Sequence, residues 1–320
     1  MNTLKENLIP IVTDENIDKF TNDQLSIFWL ADEIDVSKDI NDVLTNFTES
    51  ERHGVLTTLK LFSLYETHAG DEYWGTRFKK MWSQHTSEFS KMGSAFSMVE
   101  LCIHAPFYNK INELLNLNTR EFYLSFMEVP VFKERIKSIG KWIWDERDEI
   151  SLAAFAFVEG VVLYSSFAYL KHFQSQGKNK LLNLVRGINF SLRDENIHCL
   201  ASSYCYRLKA KGLSKEKLQC TEEEILKIAK TIWEHEEAII DIIFEKGEIE
   251  GFTKESMQEF VKSRINLVLN YLNIDNLFEV GYNPISEWFY KAIQDYSYND
   301  FFSGMGNQYH RNWDESQFEW

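Results

Sequence analysis

Hydrophobic residues recur at helical spacing along most of the chain. After Thr48, the residues Val55, Leu59 and Phe62 form one apolar stripe, which indicates an amphipathic helix. The same spacing predicts five more long helices, over residues 94–115, 150–173, 178–208, 222–245 and 254–272. No long stretch alternates polar and apolar residues, as a half-buried strand would. The pattern therefore predicts an all-α fold.

One predicted helix is apolar on every side. Residues 152–170 read LAAFAFVEGVVLYSSFAYL, and Glu159 is the one charged residue among them. A membrane span would not readily accept a carboxylate near its centre. The central helix of a bundle accepts it if a cation or a polar partner compensates the charge. We therefore expect a buried core helix and no membrane span.

Composition supports one large helical domain. The 320 residues include only 4 Pro and 14 Gly, so helix breakers are scarce, and the sequence predicts a domain over residues 1–298. From residue 299 the chain becomes aromatic and aperiodic, which predicts a flexible tail over 299–320. The formal net charge of −15 argues against a nucleic-acid partner, because phosphates would be repelled.

Cysteine usage and the N-terminus favour a cytoplasmic protein. The four cysteines have neither the paired spacing of a zinc site nor the density of a disulfide scaffold, so we expect buried free thiols in a reducing compartment. The N-terminal segment has no signal-peptide pattern. The residues concerned are Cys102, Cys199, Cys205 and Cys220.

Carboxylates and imidazoles recur on successive helices in a pattern that suits metal ions. One predicted helix carries a Glu and a His three residues apart, another carries the pair four apart, and both spacings place the two side chains on one face. Two further helices each offer one Glu, as in di-iron and dimanganese carboxylate bundles. Four carboxylates nearly balance two divalent ions. The predicted ligands are Glu66, Glu100, His104, Glu159, Glu195 and His198.

Each of these residues also has an ordinary structural explanation. Glu66 could be an exposed helix carboxylate, and His104 a core histidine with a hydrogen-bond partner. The sequence WEHEEAIID at 233–241 contains the same residue types. Its acidic residues and its histidine are spread over several helix faces, which predicts a solvated surface and no ligand role; they are Glu234, His235, Glu236 and Glu237.

Several motifs resemble, in the right order and over nearly the whole chain, the small subunit of class I ribonucleotide reductase, a member of the ferritin-like superfamily. They are FWLADEIDVSKD at 28–39, RDENIH at 193–198, NPISEWF at 283–289, and DFF followed by a tyrosine near the C-terminus. The resemblance implies a ferritin-like helical bundle with additional helices. It also implies that the protein is an oxidoreductase subunit and a homodimer.

The resemblance assigns roles to particular residues. The six predicted ligands would hold two transition-metal ions, and Tyr108 would carry the radical. Trp29, Asp194 and His104 would form a hydrogen-bonded chain from the metal site towards the surface. Tyr309 would pass the oxidation to the large subunit, which the C-terminal tail would dock and which would reduce ribonucleotides to deoxyribonucleotides.

Two departures from the family pattern bear on the metal site. Glu66 stands where most members have Asp, which resembles a manganese/iron subgroup that usually lacks the radical tyrosine, yet Tyr108 is present. We favour Fe/Fe, with Mn/Fe or Mn/Mn as alternatives. The first Glu–His pair is usually three apart, so either a helical bulge keeps Glu100 as a ligand or Leu101 replaces it. We expect the bulge, because Leu cannot compensate cations.

Two other functions remain open at this point. A different ferritin-like dimetal oxidase or monooxygenase would share the six ligands but would need neither Trp29 nor Tyr309. A metal-free helical scaffold could dock a partner through its tail. Metal binding separates the scaffold from the two enzymes.

Overall fold

The computed structural model describes residues 5–294, and it is helical throughout this range apart from turns and loops. Its only β-pairing there is an isolated bridge between Ile249 and Phe252, so the all-α prediction is confirmed for this part of the chain. The α-helices are α1 (Glu15–Ser26), α2 (Glu49–Thr67), α3 (Lys79–Met81), α4 (Ser87–Val99), α5 (Ala105–Leu114), α6 (Arg120–Leu124), α7 (Pro130–Ile143), α8 (Asp148–Phe157), α9 (Leu163–Lys171), α10 (Leu182–Ala210), α11 (Lys215–Ile243), α12 (Lys254–Tyr271) and α13 (Pro284–Gln294).

Three pairs of these helices join end to end through π-helical segments. His68–Phe78 joins α2 to α3, Glu100–His104 joins α4 to α5, and Val158–Val162 joins α8 to α9. Together with α10 they form the four long helices that pack around the centre of the bundle. A fourth π-helical segment, Asp42–Asn46, precedes α2. The 3-10 turns are Glu6–Leu8, Ala31–Glu33, Val36–Asp39, Ser125–Glu128 and His172–Gly177.

The helix bounds differ from the predicted ones mainly at N-termini. The second predicted helix begins at Ser87, not at residue 94, and the fifth begins at Lys215, not at residue 222. Ser214 explains the second difference, because its side chain caps α11 by accepting a hydrogen bond from the amide of Lys217. Four helices are not indicated by the hydrophobic pattern: α1, α6, α7 and α13.

The apolar segment around Glu159 lies in the core. The helix over Asp148–Ser175 is long and apolar enough to cross a membrane, yet its most apolar window is fully buried inside the protein. The prediction of a core helix is therefore confirmed by its packing. Its neighbours include α10, α11 and α12.

The start of α10 is fixed by two aspartates from a distant segment. Asp39 accepts hydrogen bonds from the Leu184 amide and from the Asn183 side chain, and Asp42 accepts one from the Leu181 amide. Carboxylates at this end satisfy free N–H groups and favour the positive pole of the helix. Because α10 carries two predicted ligands, this cap helps to fix their position along the bundle.

The acidic stretch at 233–241 is only partly a solvated surface. Glu234 and Glu237 are exposed, but His235 and Glu236 are buried, so the surface prediction is wrong for these two residues. The Arg135 guanidinium lies 2.6 Å from Glu236 and also donates to His235 Nδ1 at 3.3 Å. Arg135 belongs to α7, a helix that the sequence did not reveal.

The cysteine prediction is half right. Cys199 and Cys205 are buried free thiols, whereas Cys102 and Cys220 are exposed. Cys102 lies in the π-helical segment Glu100–His104 and Cys220 lies on α11. The cysteine spacing alone does not predict which thiols are exposed.

Candidate metal centre

The four long helices bring the six predicted ligands together at the centre of the bundle. All six side chains have no solvent-exposed surface. Their ligand atoms form two overlapping groups, and within each group the atoms lie within 4.8 Å of one another. The first group is Glu66, Glu100, His104 and Glu195, and the second is Glu100, Glu159, Glu195 and His198. Glu100 and Glu195 belong to both groups, as ligands that bridge two ions would.

Each imidazole presents its Nδ1 atom to the carboxylates. His104 Nδ1 lies 3.0 Å from Glu195 Oε1, 3.2 Å from Glu100 Oε2 and 3.3 Å from Glu66 Oε2. His198 Nδ1 lies 2.7 Å from Glu100 Oε1 and 3.4 Å from Glu195 Oε2. The Nδ1 atoms and the carboxylate oxygens therefore face a common interior space.

The spacing between Glu100 and His104 is explained by the backbone. These two residues begin and end a π-helical segment. A π-segment adds one residue to a helical turn, so Glu100 stays beside the other ligands despite four-residue spacing. Leu101 points elsewhere and packs against the Glu66-bearing helix at Gly70. A Cβ at residue 70 would lie 2.6 Å from Leu101 Cγ, so this close approach requires glycine.

The outer nitrogens of both imidazoles are held by neighbours. His104 Nε2 lies 2.9 Å from Asp194 Oδ2, which also accepts a 2.8 Å hydrogen bond from Trp29 Nε1. His198 Nε2 lies 3.1 Å from Gln24 Oε1, and the Gln24 amide donates to Asp194 Oδ1 at 2.8 Å. With Nε2 protonated and donating, Nδ1 keeps a free lone pair for a cation.

The cluster carries more negative charge than its own partners can balance. Burial, reinforced by the charge of Glu100, raises the pKa of Glu159 to about 7 and the pKa of Glu66 and Glu195 well above the usual range. Burial alone would lower the pKa of His104, but the surrounding carboxylates, Glu100 first, raise it well above its ordinary value. Burial lowers the pKa of His198 to about 4. The cluster thus favours added positive charge, which protons or metal ions can supply.

Unsatisfied oxygens show that metal ions fit this donor set. Buried carboxylate oxygens normally accept hydrogen bonds. Here both oxygens of Glu66, both of Glu195, Glu100 Oε1 and Glu159 Oε2 accept none among the described residues. Carboxylate oxygens together with imidazole nitrogens suit iron and manganese. The residues present therefore fit a pair of transition-metal ions.

Tyr108 lies one helical turn after His104, on α5. Its side chain is fully buried, and its ring stacks on Phe62 with a centroid distance of 4.4 Å and an interplanar angle of 8°. Burial, followed by the charge of Glu66, raises the pKa of Tyr108 well above its usual value. The phenol is thus neutral, dry and under the electrostatic influence of a predicted ligand.

Three residues of the site were missed by the sequence analysis. Gln24 links Asp194 to His198, and Trp74 Nε1 donates a 2.8 Å hydrogen bond to Glu159 Oε1. Arg264 Nε donates at 2.9 Å to the carbonyl of Gly160, in the π-segment that carries Glu159. These partners come from other helices, so no spacing along the chain announces them. Tyr309 and the rest of the predicted tail lie outside the described residues.

A helical bundle with four carboxylates and two imidazoles at its centre fits the pattern of the ferritin-like dimetal-carboxylate proteins. The chain belongs to the family described as ribonucleotide reductase, small chain, whose model matches residues 6–284. Its activity is accordingly that of the small subunit of a ribonucleoside-diphosphate reductase, an oxidoreductase.

Individual relatives agree with this assignment. The chain is 24% identical over 301 residues to the probable ribonucleoside-diphosphate reductase small subunit 048L of Invertebrate iridescent virus 3, covering 88% of this chain and 78% of that protein. It is 23% identical to the ribonucleoside-diphosphate reductase small chain of African swine fever virus, and the match covers 89% of this chain and 83% of that protein. Its fold resembles that of a dimanganese(II) NrdF structure of Streptococcus sanguinis, with a TM-score of 0.78 and 21% sequence identity. The match covers 92% of this chain and 99% of that chain.

Proposed function

We propose that this small subunit generates and stores a radical on Tyr108, using two metal ions held by the six clustered ligands. The observation that carries the proposal is the position of Tyr108, buried and one turn beyond His104. The stored oxidising equivalent then serves the reduction of ribonucleotides to deoxyribonucleotides by the large subunit.

The side chains have distinct tasks in this scheme. Glu66 and His104 would hold one ion, Glu159 and His198 would hold the other, and Glu100 and Glu195, which belong to both groups of ligand atoms, would contribute to each. When bound, such a metal pair would supply the oxidising power for the one-electron oxidation of Tyr108, with oxygen or a reduced oxygen species as the oxidant. The proton of the Tyr108 hydroxyl must then move to a neighbouring group. Glu66 is the carboxylate whose charge acts most strongly on Tyr108.

A chain of hydrogen bonds offers a route from the cluster outward. Trp29 lies in the loop after α1 and is bonded through Asp194 to His104. The indole of Trp29 is 2% exposed, so it is shielded from solvent. We propose that Trp29 and Asp194 carry the oxidising equivalent away from the metal site, and that Tyr309 receives it for transfer to the large subunit.

The test is an electron paramagnetic resonance spectrum of the metal-loaded, freshly oxidised protein. The Tyr108→Phe variant should bind the same amount of metal as the wild type and show no tyrosyl radical. Phe62→Leu is a matched control, because it changes the ring that stacks on Tyr108 but keeps the phenol. An unchanged radical signal in Tyr108→Phe would remove Tyr108 from the scheme.

Partner binding by the tail is a separate proposal. Small subunits of this class work with a large subunit and are typically dimeric. We propose that residues 299–320 dock the large subunit and that the small subunit is a homodimer. Deleting residues 299–320 should leave metal content and radical intact and abolish turnover with the large subunit. Persisting turnover would contradict the role proposed for the tail and for Tyr309.

The metal pair that we propose first is Fe/Fe, with Mn/Fe and Mn/Mn as alternatives. Tyr108 supports iron, whereas Glu66 in place of the commoner Asp supports a manganese-containing pair. Affinity alone does not select between these metals. Loading the protein with iron alone, with manganese alone and with both, followed by metal quantitation and radical yield, decides among them. Cytoplasmic location and the domain limit at residue 298 stay predictions.

A further inference from the structure

Arg264 of α12 is a buried cation whose partners carry no negative charge. Its side chain is 1% exposed, and its polar contacts within residues 5–294 are with a backbone carbonyl and with tyrosines. Arg135 is buried to a similar extent, but the Glu236 carboxylate lies 2.6 Å from its guanidinium. Burying a charged group without a counter-ion costs free energy. Stability alone therefore does not account for a guanidinium at position 264.

Two of the contacts of Arg264 lie on the segment that carries Glu159. Its Nε atom donates a 2.9 Å hydrogen bond to the carbonyl of Gly160, the residue after Glu159 in the π-helical segment Val158–Val162. Its guanidinium carbon lies 3.7 Å from the centroid of the Tyr164 ring, just beyond that segment. A hydrogen bond and a cation–π contact thus hold the backbone next to a predicted ligand.

The close approach of α12 to this segment requires a glycine. A Cβ atom at Gly160 would lie 2.6 Å from Val268 Cγ2 and 2.7 Å from Cys199 Sγ, so a larger residue would force the helices apart. Val268 lies one turn after Arg264 on α12. A π-helical turn contains one more residue than an α-helical turn and is rare. The packing of α12 and the bond from Arg264 therefore support an uncommon backbone conformation beside the ligand.

The remaining contact of Arg264 is with α13. Its Nη1 atom donates a 2.9 Å hydrogen bond to the Tyr290 hydroxyl, and its Nη2 atom has no hydrogen-bond partner among the described residues. Residues 299–320, the proposed docking segment, follow α13 in the sequence. The planar guanidinium holds its donors in a fixed geometry. A shift of α13 at Tyr290 is therefore transmitted to the carbonyl of Gly160.

We propose that Arg264 is a positioning residue that couples α13 to Glu159, a predicted ligand of the metal cluster. It fixes the carbonyl of Gly160 and thereby the direction of the Glu159 carboxylate. The coupling to bound metal rests on the proposed metal site, whereas the contacts of Arg264 do not. Because coupling between two sites is reciprocal, metal binding should in turn stabilise α13.

Amide hydrogen exchange measured by mass spectrometry tests this reciprocal effect. Adding Mn²⁺ under anaerobic conditions should slow exchange in α13 of the wild type. Tyr290→Phe keeps the ring and removes the hydroxyl that Arg264 binds, so this variant should lose most of the slowing. Tyr282→Phe is the matched control and should keep it, because the Tyr282 hydroxyl is bonded to Glu287 on the exposed side of α13.

The electron paramagnetic resonance spectrum of the Mn²⁺-loaded protein gives a second readout. Arg264→Lys keeps the buried charge but cannot form both hydrogen bonds in the same geometry. This variant and Tyr290→Phe should change the spectrum and weaken Mn²⁺ binding about tenfold, the low end for residues that support a ligand. Tyr282→Phe should match the wild type. A merely structural role would lower the thermal stability of both variants and leave the spectrum unchanged.

Each contrary outcome bears on one proposal. Equal slowing of α13 in the wild type and in Tyr290→Phe, or no slowing in a wild type that binds Mn²⁺, would overturn the coupling. A wild type that binds no Mn²⁺ would contradict the proposed metal site instead. Exchange in the metal-free protein then still decides the role of Arg264. Arg264→Lys should speed exchange of the amides of residues 158–165, and an unchanged rate would overturn that role.

Discussion

Two buried clusters in this protein use the same residue types and have different electrostatics. The ligand cluster combines four glutamates with two histidines, and the second cluster combines Glu236 and His235 with Arg135. Within residues 5–294, the ion pairs of the four clustered glutamates are with the two imidazoles alone. Glu236 instead has a guanidinium at 2.6 Å. The first cluster therefore needs an added cation, and the second already contains one.

The groups beside Glu236 and Glu159 have opposite effects on the pKa of these two carboxyls. Burial raises the pKa of Glu236, but Arg135 opposes this effect. Burial also raises the pKa of Glu159, and there the neighbouring Glu100 adds to the effect. Burial of Glu and His on one helix thus does not by itself identify a metal site. The uncompensated negative charge of the whole cluster does.

The largest effect is expected when a shared ligand loses its charge. Glu195 belongs to both ligand groups, so Glu195→Gln should weaken the binding of both ions. The loss of affinity should exceed the roughly 10–100-fold typical of residues that only support a ligand. Equilibrium dialysis against Mn²⁺ or Fe²⁺ under anaerobic conditions measures it.

Glu237→Gln is the matched control for this experiment. Glu237 is an exposed glutamate of α11, and the substitution removes the same charge from the acidic stretch at 233–241. Its metal binding should equal that of the wild type. Equal binding by Glu195→Gln and Glu237→Gln would contradict the distinction between the two clusters.

Breaking the ion pair between Arg135 and Glu236 should lower the stability of the fold and leave metal binding unchanged. Arg135→Met leaves Glu236 buried without its cation, and such a change typically costs about 3–5 kcal/mol. Urea denaturation of the metal-free protein measures the loss. The double variant Arg135→Met/Glu236→Leu should recover most of it, because the lone charge is gone; failure to recover would mean that Arg135 acts through packing alone.

The pH dependence of stability should separate the metal-free and metal-loaded proteins. Each carboxyl with a raised folded-state pKa stabilises the fold while protonated, and this contribution is lost as pH rises. The metal-free protein should lose about 1.4 kcal/mol per pH unit for each group that is protonated in the folded state only. The groups concerned are Glu66, Glu159, Glu195 and, above the ordinary pKa of histidine, His104.

The informative range begins at pH 6.5. Below that value His198, whose pKa is lowered to about 4, has the opposite effect, because its protonation favours the unfolded chain. Thermal unfolding at pH 6.5 and pH 8 in the presence of a chelator should show the decline. Metal-loaded protein should show no such decline, because metal binding keeps the carboxylates ionised. Equal pH profiles would contradict this explanation.

The smallest effect is expected when a hydrogen bond that supports one predicted ligand is removed. Trp74→Phe removes the hydrogen bond to Glu159, and metal affinity should fall about 10–100-fold while the fold is kept. Trp82→Phe is the control, because the indole N–H of Trp82 is buried and has no hydrogen-bond partner among residues 5–294. Equal affinities of the two variants would show that the bond from Trp74 does not support the ligand.

The sequence indicated the residues of the central cluster because their signal is local. Glu195 and His198 share a helix face through their spacing, and Glu159 stands out in an apolar segment. The four-residue interval between Glu100 and His104 suggested a bulge, and the structure has a π-helical segment there. In each case the informative residues lie within one or two helical turns of one another.

What the sequence did not indicate depends on contacts between distant segments. Arg135 and Glu236 are 101 positions apart, and Gln24 and His198 are 174 apart. Gln24 lies on α1 and Arg135 on α7, two helices that the hydrophobic pattern did not reveal. Without those helices, the local pattern places Glu236 on the surface and indicates no role for Gln24.

The most direct test is an anomalous difference map from crystals loaded with Mn²⁺ under anaerobic conditions, recorded at the manganese absorption edge. Charge compensation predicts about two peaks between the side chains of the ligand cluster and none beside Glu236. An empty cluster, or a peak at Glu236 instead, would contradict the account.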